Sequence, residues 1–136
     1  MRENGFTLIE LVAVLILIGL IGATAATRFF DNSGSTLMAS RDDLVTALRL
    51  AQQLAMDTDQ TITFQSTSAT LAVLADGAFV TQGSVSYPLA LPAGVSLTPV
   101  STLSFNRLGE TTATTFILAV DGRSINVDIS TAGYAR

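Results

Sequence analysis

Hydropathy divides the chain into three stretches of different periodicity. From Phe6 to Thr27 the residues are almost continuously apolar, and Glu10 is the one charge in the run. A helix over 6–27 would be about 33 Å long at 1.5 Å per residue, close to the roughly 30 Å hydrocarbon thickness of a bilayer, so a transmembrane helix is expected there. Gly19 and Gly22 lie inside it, where small residues let helices approach closely or let the helix loosen. Over Arg28 to Gly34 the periodicity stops and turn residues cluster, which marks a break or loosened joint.

A helical pattern resumes over 35–56. Leu37, Leu44, Leu48, Ala51 and Ala55 recur at helical spacing, Met38, Val45 and Leu54 widen the stripe, and Asp42, Asp43, Arg49 and Gln53 occupy the other side. Ser40 with Asp43 three residues on has capping-box spacing, so a helix restart is expected there. A lone helix buries such a stripe by packing on a sheet, and the stripe is read as the seat of one. From Gln60 onward 21 of 77 residues are Ser or Thr, interleaved with short apolar alternations that read as strands. The expected strands are 61–64, 70–74, 95–97, 103–105, 114–120 and 124–129. Asp121-Gly122 between the last two is the strongest hairpin signal in the chain. Tyr87 to Gly94, with two prolines and a glycine, is expected to be a loop.

Composition removes whole classes of chemistry. At 136 residues the chain is one domain long, 49% apolar and only 13% charged, against about 25% charged for an ordinary soluble domain. There is no Cys for a disulfide or thiolate site and no His for an imidazole base or ligand. Lys is absent too, so a nucleophilic serine would lack the usual bases, and no enzyme is expected. No cofactor or metal is expected either, because Asp57-Thr58-Asp59 begins like a calcium loop but lacks the continuation to Gly and a distal Glu. The net charge of −4 disfavours nonspecific binding to nucleic acid.

Two readings of the N-terminus remain on residues alone. One is a secretory signal peptide cleaved near Ala23-Thr24-Ala25, which would release a soluble exported protein. The other retains the apolar helix. Glu10 separates them, because a carboxylate inside an apolar span costs something like 2.5–3.5 kcal/mol at the helix centre and is a functional candidate by default.

The residues Gly5-Phe6-Thr7-Leu8-Ile9-Glu10-Leu11 resemble the N-terminal motif of type IV pilins and type II secretion pseudopilins: a short polar leader ending in Gly, then Phe, then Glu five positions after the Gly and a charge-free run behind it. The segment 41–56, with its Leu-Arg-Leu-Ala-Gln-Gln core, and the C-terminal stretches Leu103-Ser104-Phe105-Asn106-Arg107-Leu108-Gly109 and Ile129 to Arg136 are similar to the GspH/FimT group of minor pilins and pseudopilins, in particular to a minor pilin of the mannose-sensitive haemagglutinin type. The resemblance implies an α+β pilin fold, in which a long N-terminal helix, transmembrane in its first half and amphipathic in its second, packs on an antiparallel sheet. It divides the chain into a leader over 1–5, a membrane and filament-core helix over 6–27, and a globular domain over 28–136. It further implies cleavage between Gly5 and Phe6 by a prepilin peptidase, N-methylation of Phe6, and pairing of Glu10 with the new terminal amine of a neighbouring subunit.

The partners so implied are other pilin or pseudopilin subunits, the peptidase, an inner-membrane assembly platform, and the lipid bilayer before assembly. The implied location is the inner membrane, crossed once with the C-terminal domain in the periplasm, and then the pilus or pseudopilus. Many pilins carry a proline near the position of Thr27 and this chain does not, so kinking in the first half would fall to Gly19 and Gly22. Some relatives of the FimT branch bind DNA through a basic C-terminal segment. A DNA-uptake or surface-binding minor pilin of that type is therefore the alternative function, with Arg107, Arg123 and Arg136 as its candidate residues; they are the cations after Arg49 and acids are interspersed with them, so DNA is not expected as a partner.

Overall fold

The computed structural model describes the backbone of residues 8–29 and 33–136, and the side chains of 8–21 and 33–136. Gly5 and Phe6 lie outside the described residues, as does the centre of the expected joint. The chain divides into two compact units, one holding helix α1 (Leu8–Phe29) and the other spanning Ser33–Arg136.

The second unit opens with α2 (Ser33–Asp57), an unbroken helix of 25 residues. Ser33 and Gly34, expected in the joint, instead form its first turn. The restart expected at Ser40 does not occur either. Ser40 is fully buried in mid-helix and its hydroxyl donates to the Thr36 carbonyl one turn back at 2.9 Å, which satisfies it without interrupting the ladder. Leu37, Leu44, Leu48, Ala51 and Ala55 are all buried, together with Val45 and Ala47, and Leu54 is half-buried. Met38 departs from the expected stripe at 57% exposure. It occupies the side of Val45 two turns nearer the helix start, where the cover over Val45 does not extend.

Ten short strands follow: β1 (Ile62–Ser66), β2 (Thr70–Ala75), β3 (Ala78–Phe79), β4 (Thr81–Gln82), β5 (Val85–Ser86), β6 (Leu89–Ala90), β7 (Ser96–Thr98), β8 (Ser101–Phe105), β9 (Thr114–Val120) and β10 (Arg123–Ile129). All pairings are antiparallel. One sheet runs β3-β2-β1-β8 with β6 on β2, a second runs β10-β9-β7, and β4-β5 form a separate hairpin. Each of the six expected strands is present, 114–120 with the expected bounds and the others with ends that shift by no more than two residues. The loop expected over 87–94 contains β6, which pairs Leu89 with Leu71 and so ties that segment to the first sheet. The expected hairpin is in register, Val120 facing Arg123, with Asp121 and Gly122 at φ 48° and 76°, the pair of left-handed residues that a type I′ turn requires.

The apolar face of α2 packs against β1, β2, β8, β9 and β10 and so covers both sheets. Burial alternates along β9, where Phe116, Leu118 and Val120 point inward, because successive side chains of a strand face opposite ways. Phe64 of β1 and Phe116 of β9 meet edge to face, centroids 5.7 Å apart, and join the two sheets beneath α2. The buried Ser66 hydroxyl donates to the Pro99 carbonyl at 3.2 Å and accepts from the Ser101 amide at 3.1 Å, tying β1 to the start of β8.

Candidate assembly surface

Two helices of one chain treat their apolar residues in opposite ways. In α2 the apolar side chains form one stripe and are buried. In α1 they lie all round the helix, and every large one from Leu8 to Ile21 is exposed, Leu8 at 81%. A helix apolar on every side belongs inside a larger core or a membrane, and each such side chain gains roughly 1.5–3 kcal/mol when it leaves water. Among the described residues no helix is long and apolar enough to cross a membrane. The side chains described in α1 end at Ile21, about 21 Å of helix from Leu8. Glu10 sits in the first turn, exposed, where the partial positive charge of a helix N-terminus favours a carboxylate. Nothing lies within 4 Å of a Cβ built on Gly19, so that position presents a smooth, unfilled surface.

At the far end of α2 the second unit closes on itself through two matching turns. Asn106 to Glu110 and Ser130 to Tyr134 have the same hydrogen bonds: in the first, the Gly109 amide donates to the Asn106 carbonyl and the Asn106 amide to the Glu110 carbonyl, and Gly133, Ser130 and Tyr134 repeat the pattern in the second. The two turns are joined by the Thr111 amide donating to the Thr131 carbonyl at 3.0 Å. Gln52 of α2 clamps both, its Nε2 donating to the Ala132 carbonyl at 2.8 Å and to the Gly109 carbonyl at 3.4 Å. Sequence reading places Gln52 only within a helix. Its role follows from contacts with residues 57 and 80 positions away, which no local pattern carries.

The three C-terminal cations are not brought together. Arg107 is bound to the Asp59 carboxylate at 2.6 Å, just beyond the end of α2. Arg123 lies at the opposite end of α2, its Nη1 only 3.2 Å from a Cβ built on Gly34, roughly 35 Å from Asp57 along the helix. Arg136 pairs through its backbone with Asp128, five residues and about 17 Å along β10 from Arg123. Spread between the two ends of α2 and along β10, these three cations do not form the stripe that phosphate binding needs. Among the described residues no three acidic side chains gather to hold a metal ion. Asp59 faces Arg107, and Asp128 accepts the Thr115 hydroxyl at 2.7 Å.

Two groups near the middle of α2 have displaced ionisation. Burial, with the neighbouring Asp42 charge second, holds the Asp43 carboxyl above its usual range. Burial and then the Asp43 charge push the Tyr87 phenol up, which brings that carboxylate close to the tyrosine.

Comparison with known proteins agrees with this architecture. Residues 40–133 match the family model described as type II transport protein GspH, and residues 1–26 match the prokaryotic N-terminal methylation motif. The type IV narrow pilus major component PilA5 of Thermus thermophilus is 42% identical over 55 residues, covering 40% of this chain and 47% of PilA5. The chain thus matches about half the length of that relative. Crystal structures of the type IV minor pilin FimU of Pseudomonas aeruginosa PAO1 share the fold. One has a TM-score of 0.60 at 20% identity over 77% of this chain and 90% of FimU. Another, in a different crystal form, has 0.55 at 21% identity over 74% and 90%. With the first family model spanning well over half of the residues and the methylation motif ahead of it in the chain, the chain belongs to the GspH family of pilin-like, exported and membrane-anchored subunits.

Proposed function

We propose that the chain is a minor structural subunit of a type IV pilus or a type II secretion pseudopilus, assembled through its N-terminal helix. Families of this kind consist of structural subunits and not of enzymes. The observation that carries the reading is the contrast within the chain: the second unit has a complete core of its own, while α1 exposes apolar residues on every side. Before assembly, lipid would solvate that helix, in a single pass of the inner membrane with Ser33–Arg136 in the periplasm. Once extracted by the assembly platform, the helix must be covered by equivalent helices, or its apolar side chains would face water at roughly 25 cal/mol per Å². Contacts of that kind repeat head to tail without closing, and the product is a fibre.

In this reading a prepilin peptidase cuts between Gly5 and Phe6, Phe6 becomes the methylated N-terminus, and Glu10 sets the register by pairing with the amine of a neighbouring subunit. A carboxylate in an apolar bundle is tolerable when an ammonium faces it, and breaking such a pair costs about 3–5 kcal/mol. The intact mass of the native protein tests the processing step. The expected mass is that of a chain starting at methylated Phe6, and Gly5→Leu should retain all five leader residues. A native chain that starts beyond Ala25 would overturn the proposal.

A further inference from the structure

The face of α2 turned away from its buried stripe carries Thr46, Arg49, Leu50 and Gln53, spaced so that they line one side of the helix. Opposite them stand Gln82 of β4, Val85 of β5 and Tyr87, and between the two walls lies a cleft of about 400 Å³. Its polar chemistry is one-sided. Arg49 has five N–H donors in a planar fork, and a single contact engages it, Nη2 donating to the Ala135 carbonyl at a long 3.4 Å. No carboxylate among the described residues meets it, whereas Arg41 and Arg107 each have one. The two amides, Gln53 and Gln82, make no hydrogen bond through their side chains among the described residues. Leu50, Val85 and the buried ring of Tyr87 supply apolar wall.

We propose that this cleft receives an aspartate or glutamate side chain from a neighbouring subunit in the assembled fibre. The occupant rests on the assembly reading above; the chemistry of the cleft does not. A guanidinium fork flanked by amide donors and an apolar wall fits a carboxylate on a short aliphatic stem, because charge-assisted bidentate bonds to a planar carboxylate are the strongest this donor set can make. Subunits of this composition bring such groups in excess, with 11 acids against 7 arginines. The hairpin β4-β5 pairs with no other strand, which leaves the cleft wall outside both main sheets.

The test uses the full-length chain in cells that assemble the fibre, read as the fraction of subunit recovered in sheared or purified fibres relative to the membrane pool. Gln82→Glu places an internal carboxylate against Arg49 without touching the Ala135 contact. It should lower incorporation about five- to tenfold, as should Arg49→Glu, while Arg49→Lys keeps the charge and should fall less than about threefold. Because the chain has no cysteine, Gln53→Cys carries a single photoactivatable maleimide, and the cross-linked peptide from the neighbour should contain Asp or Glu within a few residues of the adduct. Normal incorporation of both Gln82→Glu and Arg49→Glu overturns this proposal and leaves the assembly reading intact. So does a cross-link to the lipid alone, or to a neighbour peptide without acids. Absence of the wild-type chain from every fibre overturns the assembly reading itself, and this inference falls with it.

Discussion

Gly133 should be the least replaceable glycine in the second unit. A Cβ built there overlaps the Gly109 carbonyl oxygen and lies 2.7 Å from Gln52 Nε2, and the residue has φ +75°. Two costs add in Gly133→Ala. A left-handed backbone costs an L side chain roughly 1–2 kcal/mol. The contact with backbone oxygen must also open by about 1.5 Å to reach ordinary van der Waals separation, and that movement breaks the Thr111–Thr131 and Gln52–Ala132 hydrogen bonds, each worth about 1 kcal/mol. Gly122→Ala is the internal control, since Gly122 has φ +76° but nothing within 4 Å of its Cβ, so it incurs the backbone cost alone. The expected losses are about 3–4 kcal/mol at Gly133 and about 1–2 kcal/mol at Gly122, a gap of roughly 8–16 °C in melting temperature for a unit of this size. Urea unfolding followed by far-ultraviolet circular dichroism measures both. In the Gly133→Ala background, Gln52→Ala should add almost nothing, because its bond is already gone. Losses at the two glycines equal to within about 0.5 kcal/mol would refute the close approach of the two turns.

Glu10→Ala should leave membrane insertion unchanged and reduce incorporation into fibres, measured as the ratio of fibre to membrane subunit; normal subunit content would sink the pairing role. The fragment Arg28–Arg136 should be soluble, folded and cooperative in unfolding, since the core lies within Ser33–Arg136, and persistent aggregation of it would count against that boundary. For Asp43 the folded carboxyl titrates above its ordinary value of 3.8. The folded state therefore binds its proton more tightly, and the resulting stability is full below the unfolded value and lost as pH rises through the folded one. Asp43→Asn should accordingly raise the unfolding midpoint at pH 7 and change it less at pH 3, and an equal shift at both pH values would show that ionisation is not the cause.

What can be read from sequence depends on how local the cause is. The Asp121-Gly122 turn and the strands beside it are legible because a type I′ turn needs two adjacent residues tolerant of positive φ, and alternation needs only one strand. Asp76-Gly77, at φ 50° and 82°, is the same signal between β2 and β3, but Ala78–Phe79 is too short to show alternation and so the hairpin goes unread. There the Asp76 carboxylate also accepts the Thr61 amide at 2.8 Å and holds the start of β1. The stripe of α2 is legible for the residues that face the sheets, while Ser40 has the spacing of a cap without acting as one, since its hydroxyl bonds one turn back rather than forward. Arg49 and Gln53 fall on the outer side of α2, as their spacing predicts. Their cleft is invisible in the sequence because its other wall is a hairpin of two-residue strands whose position depends on the rest of the fold. Gln52, Gly109 and Gly133 act as a group only after two turns that are distant in sequence have met.

The two helices divide the work between folding and assembly by how far round the cylinder their apolar residues extend. A stripe, as on α2, is satisfied within one chain, and what remains on the outer side is free to carry Arg49, Gln53 and the acids. An apolar surface on every side, as on α1, cannot be satisfied by one sheet face, because a flat partner covers at most half of a helix. Several neighbouring helices or lipid must complete the cover. In a bundle of like helices the apolar contacts carry little positional information, since sliding one greasy helix along another exchanges similar contacts. In the fibre proposed above, register would then come from polar groups, Glu10 within the bundle and the Arg49 cleft on the second unit, and a subunit lacking both should bind the fibre loosely and at no fixed height.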